Sequence, residues 1–136
     1  MAFEFELVSP EALVLSGEAT QVVVPGSEGY FTVMENHSAM MSTIQSGVID
    51  VTMADGKSEH YFVRGGFADV SPSGLTVLTE DATHIKELDM AELEREINEA
   101  RAAVDAANGV EDMKKAATKL QEFENSLAAV RHIQQS

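Results

Sequence analysis

All three prolines and eight of the nine glycines of this chain precede residue 75, and alanine takes over beyond residue 86. The prolines are Pro10, Pro25 and Pro72, and Gly109 is the single late glycine. Alanine occurs seven times in residues 1–85 and ten times in residues 86–136. Gly and Pro punctuate turns, whereas Ala, Glu, Leu and Lys favour helix. One class of secondary structure cannot run through such a break. The chain must carry a β part over residues 1–86 and an α part over residues 87–136. At 136 residues it holds one ordinary domain, or a small domain with an appendage.

In the β part, short β-branched or aromatic runs alternate with turn signals. Phe3-Glu4-Phe5-Glu6-Leu7 alternates apolar and charged residues, as a half-buried strand should. Further strands are expected near 12–15, 19–24, 30–34, 41–45, 48–53, 59–64, 67–70 and 75–79. Asp55-Gly56 suits a tight hairpin with positive φ at both central positions. Gly65-Gly66, inside a strand-like stretch, suggests a bulge or a close backbone approach. Strands this short and frequent predict an all-β sandwich or flattened barrel.

The α part repeats a 3-4-3-4-3 spacing twice. Met90, Leu93, Ile97, Ala100, Val104 and Ala107 form one apolar stripe; Met113, Ala116, Leu120, Phe123, Leu127 and Val130 form the other. Asp89 with Glu92 three positions on resembles a capping box, Gly109 is a stop, and Asp112 can cap the second helix. The short connector makes the helices antiparallel neighbours, an α-helical hairpin. With much of its seam made of alanine the pair is marginal alone, so it leans on the β part or on a partner and is able to move.

Charge narrows the function classes. Nine Lys and Arg stand against 23 Asp and Glu, a net of −14, of which −10 lies in residues 1–85. Such a surface repels phosphate backbones and anionic headgroups, which argues against nucleic acid and direct lipid insertion and favours basic partners. No cysteine is present, so disulfides, thiolate metal sites and a cysteine nucleophile are excluded. No apolar run reaches the ~20 residues of a membrane span. The start lacks signal-peptide or transit-peptide character, and the expectation is a soluble intracellular protein.

Sites for chemistry are hard to find. His37, His60, His84 and His132 lie too far apart in sequence for a short-spaced ligand pair. Gly26-Ser27-Glu28-Gly29 has no Gly-Lys-Ser/Thr ending, and no Gly-x-Ser-x-Gly elbow occurs. Paired acids such as Glu80-Asp81, or Glu92, Glu96 and Glu99, read as solvated surface or capping charge. No catalytic, cofactor or metal site is expected, and an interaction role is the better class.

The order of parts now becomes familiar. Val24-Pro25-Gly26-Ser27-Glu28-Gly29-Tyr30-Phe31-Thr32-Val33-Met34-Glu35-Asn36-His37-Ser38-Ala39 resembles the signature of the epsilon-subunit family of bacterial rotary ATP synthases. That signature is a Gly-x-x-Gly loop, an apolar strand and a His, usually followed by Ala-Pro. Gly47-Val48-Ile49, Val63 to Val70, Leu75 to Ala82 and the Leu88-Asp89 junction match its other landmarks. The resemblance covers essentially the whole chain.

It implies a ten-stranded β-sandwich followed by an antiparallel helix pair, in a non-catalytic subunit of the central stalk, or rotor. The partners implied are the gamma subunit and the polar loops of the c-ring, with the alpha/beta catalytic head reached through the helices. The location implied is the cytoplasmic face of the bacterial inner membrane, peripheral and within the complex; the mitochondrial equivalent is called delta. Gly26, Glu28, Gly29, Tyr30, His37 and Met40 fall in the foot-facing region. Lys114, Lys115, Lys119 and Arg131 are the basic residues that would face acidic segments of the head and restrain ATP hydrolysis. The sequence departs from the pattern in three places. Tyr30 stands where an acid often follows the second loop glycine, which shifts that contact to Glu28. Ser38-Ala39-Met40 replaces Ala-Pro. In the helix motif that binds ATP in some members, Glu92 replaces the arginine, so no tight ATP binding is expected. The rival reading is a nucleotide-sensing regulatory module with a mobile hairpin; a small hydrolase would need a nucleophile–base pair that the sequence does not show.

Overall fold

The computed structural model describes residues 2–35 and 37–134, the side chains of His132 and Gln134 excepted. The chain divides after Lys86 into two compact units.

Among the described residues the first unit contains seven strands: β1 (Phe3–Ser9), β2 (Ala12–Gly26), β3 (Gly29–Met34), β4 (Met40–Met53), β5 (Ser58–Ser71), β6 (Gly74–Thr79) and β7 (Ala82–His84). The expected short strands are present, but three pairs of them run on as one. β2, β4 and β5 are 14 or 15 residues long, and each bends in its middle. The first half of β2 pairs with β1, and its second half with β3 and β4. The second half of β4 pairs with the first half of β5, and the first half of β4 with the second half of β5. Counting halves, ten segments build two layers, and β1 pairs with β2 and, in parallel, with β6 to close the circuit. Between the layers lies a core of Phe3, Phe5, Leu7, Val22, Val24, Ile49, Val51, Val63, Val70, Leu75 and Val77.

Gly65-Gly66 marks the bend of β5, with φ of 81° and 135°. A Cβ on Gly66 would overlap the backbone carbonyl of Leu78, so the close approach read from the sequence is real. The β4–β5 connection is wider than the two-residue turn expected. Met53 N–H donates to the Lys57 carbonyl and Gly56 N–H to the Met53 carbonyl, at 2.8 and 2.9 Å. Asp55 serves there through its side chain, accepting the Lys57 N–H at 3.0 Å.

A short 3₁₀ turn (Ile85–Glu87) leads to the second unit, made of α1 (Met90–Ala106) and α2 (Val110–Gln134). Asp89 caps α1, its carboxylate accepting the Ala91 and Glu92 N–H groups at 3.0 and 3.3 Å. The Glu92 carboxylate is bonded to Arg95 one turn on. Gly109 turns the chain with φ of 90°, and α2 starts at Val110, which puts Asp112 in the first turn and not at the cap. Leu93, Ile97 and Ala100 of α1 and Phe123 and Val130 of α2 are buried, as the stripes predict. Met113 is exposed, and Ser126, outside the stripe, is buried with its hydroxyl donating to the Glu122 carbonyl at 2.8 Å. Among the described residues two ion pairs run between the helices: Arg101 to Glu124 at 3.3 Å and Arg131 to Glu94 at 2.8 Å. Between them α1 steps back seven residues while α2 steps forward seven, the signature of an antiparallel pair.

Candidate docking surface

The turn joining β2 to β3 is built by pairing Gly26 with Gly29, which leaves Ser27 and Glu28 at its tip. It is fastened to β4 by Ser27, whose N–H donates to the Thr43 carbonyl at 3.0 Å and whose hydroxyl lies 2.6 Å from that of Thr43. Tyr30 follows, 49% exposed, yet its hydroxyl accepts the Val48 N–H at 3.4 Å. The ring can cross there because residue 47 is glycine: a Cβ would stand 2.7 Å from the Tyr30 hydroxyl and 2.8 Å from Pro25. Tyr30 is thus a fixed apolar plate with an outward edge.

Between this turn and the start of β4 runs a depression lined by Glu28, Tyr30, Phe31, Met40, Met41 and Thr43, with both glycines in its floor. The fold therefore gathers Gly26, Glu28, Gly29, Tyr30 and Met40 around one site. Met41, 71% exposed, belongs to it and was not singled out from the sequence. Its signal was position alone: the first residues of β4 lie beside the turn, so both methionines there are presented. Glu28 is exposed and makes no ion pair among the described residues. Of the Lys and Arg of this unit, Lys57 lies in the β4–β5 turn, Arg64 stands 3.4 Å from Asp81 and over the Phe62 ring, and Lys86 lies in the 3₁₀ turn that follows β7. The rim of the depression is therefore acidic.

His37 does not line it. Nδ1 lies 2.6 Å from the Met34 carbonyl, Nε2 contacts the Ser71 carbonyl, and the ring meets Phe3 edge-on at 5.4 Å. The imidazole braces the ends of β3 and β5 against β1.

The basic residues of α2 are dispersed. Lys114, Lys115 and Lys119 are exposed, with the Lys119 ammonium 5.8 Å from the Phe123 ring centre, while Arg131 is tied to Glu94. Burial lifts the Glu122 carboxyl above its ordinary range, and the Lys119 charge opposes the lift. At the start of α1, Asp89 is occupied as a cap, and Arg95 is bonded to both Glu92 and Glu99. Among the described residues no group of three His, Asp or Glu could hold a metal ion, and no helix is long and apolar enough to cross a membrane.

Residues 2–85 match the family model for the β-sandwich domain of the ATP synthase delta/epsilon chain. The chain belongs to that family. The ATP synthase epsilon chain of Brucella anthropi is 55% identical over 115 residues, 85% of each chain, and that of Brucella canis is 51% identical over the same span. In three dimensions the fold is similar to a chain of the Euglena gracilis mitochondrial ATP synthase, with TM-score 0.81, 23% identity, and coverage of 95% of this chain and 81% of that one. A chain of the Tetrahymena thermophila mitochondrial ATP synthase central stalk and c-ring gives TM-score 0.62 at 14% identity, covering 93% and 97%. These two likenesses concern the fold. The family model covers the sandwich, and the two fold likenesses extend over the helix pair as well.

Proposed function

We propose that the chain is a non-catalytic central-stalk subunit of a proton-translocating ATP synthase, joining the gamma subunit and the c-ring to the catalytic head. The observation that carries this reading is the 55% identity to an ATP synthase epsilon chain over 85% of the sequence. The sandwich is the docking unit. Its acidic, methionine-edged depression at Glu28, Tyr30, Met40 and Met41 suits the polar, basic loops of a c-ring, and rim charges there set orientation and association rate more than affinity. Peripheral attachment at the membrane follows from that contact and requires no lipid insertion. Two components purified separately test the assignment. Mixed with the gamma subunit of its own organism, the chain should elute in gel filtration as a stable heterodimer; independent elution of the two would sink it.

The hairpin is the regulatory unit of this reading, with Lys114, Lys115 and Lys119 free to meet acidic segments of the head and Arg131 released only if its tie to Glu94 opens. Removing residues 88–136 should raise ATP hydrolysis by the reconstituted complex, and unchanged activity would remove that role. ATP itself is not a ligand here, since Glu92 would repel a triphosphate and Arg95 is held between two carboxylates. Calorimetric titration should show no micromolar affinity.

A further inference from the structure

The hairpin connector is Ala107, Asn108 and Gly109, between the end of α1 and the start of α2. Its ends are tied down. Ala107 N–H donates to the Val104 carbonyl at 3.3 Å, and the Gly109 carbonyl accepts the Met113 N–H at 3.2 Å. The groups between those bonds are free: among the described residues the Asn108 side chain makes no hydrogen bond, and the Gly109 N–H has no acceptor. Both residues are exposed. Gly109 holds φ of 90°, and a Cβ built on it would meet nothing within 4 Å.

A glycine after asparagine leaves the asparagine amide open to its own backbone, because no side chain on the next residue hinders the approach of that residue's nitrogen. Of Asn36, Asn98, Asn108 and Asn125, Asn108 alone precedes glycine. Asn98 and Asn125 lie inside helices, and their amide oxygens accept from Arg101 at 3.5 Å and from Gln121 at 3.0 Å. Asp55-Gly56 supplies the contrast within the molecule. The Asp55 carboxylate accepts the Lys57 N–H at 3.0 Å, and the Gly56 N–H is given to the Met53 carbonyl at 2.9 Å. There both groups that would react are engaged; at Asn108-Gly109 neither is.

We propose that Asn108-Gly109 is a self-modification site, and that its conversion loosens the adjoining end of the hairpin. The Gly109 nitrogen attacks Cγ of Asn108. The N–Cγ bond forms as the Cγ–Nδ2 bond breaks, the side-chain nitrogen leaves as ammonia with the proton of the Gly109 N–H, and a cyclic succinimide remains. Water then opens the ring. Opening at Cγ leaves aspartate, and opening at the main-chain carbonyl leaves isoaspartate, whose chain runs on through Cβ and Cγ. Isoaspartate puts an extra carbon into the short connector. The new carboxylate stands near Glu111 and Asp112, a repulsion opposed by the favourable end of the α2 dipole, so the extra carbon decides the outcome. Little packing resists it. No residue from 101 to 122 is buried, and Arg101 to Glu124 is the ion pair between the helices nearest the connector among the described residues. This chemistry belongs to the chain alone and is independent of the stalk reading.

The experiment incubates the full chain in mildly alkaline buffer at physiological temperature and follows it by peptide mass spectrometry. A gain of about 1 Da should accumulate in the segment from residue 102 to Lys114. A carboxyl methyltransferase specific for isoaspartate, supplied with labelled S-adenosylmethionine, should mark the same segment. Asn98 and Asn125 should lag at least about tenfold, because each must first leave its helix. The segment holding Asp55 should gain no label over the same period. Conversion at Asn108 no faster than at Asn98 or Asn125 would overturn the proposal. Asn108→Gln, whose longer side chain closes a ring far more slowly, should stay unmodified. Hydrogen exchange then reads the consequence. Amides in the first turn of α2, Met113 among them, should exchange about threefold or more faster in the incubated wild type than in the incubated Asn108→Gln chain. Equal exchange in the two would show that conversion leaves the hairpin intact, and would overturn the proposal at its second half. Fresh Asn108→Asp adds the charge without the carbon and should exchange as fresh wild type does. Loosening there equal to that of the incubated chain would assign the effect to charge and overturn the role of the extra carbon.

Discussion

In the sandwich, Phe5, Leu7, Val22, Val51 and Val77 lose all contact with water, and every strand except β3 and β7 is paired on both sides. In the hairpin, Leu93, Ile97, Ala100, Phe123 and Val130 are the buried apolar residues, and the ties between the helices join exposed Arg and Glu. Fully buried side chains contribute several kcal/mol each, whereas exposed ion pairs contribute about 1 kcal/mol or less. The difference teaches where each unit can be broken. One is fixed by its interior; the other depends on a short seam and a well-made start.

Phe5→Ala should have the largest effect. The ring is wholly buried, and its loss should cost about 3–5 kcal/mol, lowering the sandwich transition by about 15 °C or more in calorimetry. A smaller drop would mean that the two layers close over the gap. Leu93→Ala comes next, at about 2–4 kcal/mol, and should reduce the helical circular-dichroism signal before the sheet signal. If both signals moved together, the contrast between the units would fail, and the chain would melt as one cooperative block.

How far these differences could be read without coordinates depends on the range of the interaction. Asp89 was legible as a cap because its partners lie two and three residues away. The alternation of Phe3 to Leu7 was legible because a strand repeats every two residues. The bracing of His37 on Ser71 was not, since it joins positions 34 apart. Ser126 broke the helical stripe for a related reason. Its hydroxyl is satisfied by the Glu122 carbonyl, so a polar residue sits at a buried position at little cost. At the depression beside the β2–β3 turn, the glycine turn and Tyr30 stood out, while Met41 needed the placement of β4 beside the turn. The pairing of Val8 with Leu13, and not Val14, was the least visible feature. It follows from a register shift after Leu7, and a bulge of one residue leaves no mark in composition.

Two smaller effects sharpen the contrast on the hairpin side. Asp89→Ala should cost about 1 kcal/mol and fray the first turn of α1, seen as faster hydrogen exchange at Ala91 and Glu92. Glu122→Gln should do the opposite. Because burial raises this carboxyl in the fold, the protonated form is favoured there. Its stabilising contribution is full below the unfolded value near 4.5 and is lost as pH rises through the folded value. The substitution should therefore stabilise the hairpin at pH 7 by about 0.5 kcal/mol or less. The gain should vanish in acid, and a gain that persisted there would assign it to packing instead of charge.

The bends in β2, β4 and β5 have a mechanical meaning for a part that sits in a turning shaft. Each of the three belongs to both layers, so the layers are stitched by continuous backbone and cannot slide past one another like two sheets held by side chains alone. A sideways load applied at the β2–β3 turn passes along β2 through covalent bonds to the opposite layer. Shear is thereby turned into tension along strands. Torsional stiffness in such a body comes from chain path first, and from the oiliness of its interior second.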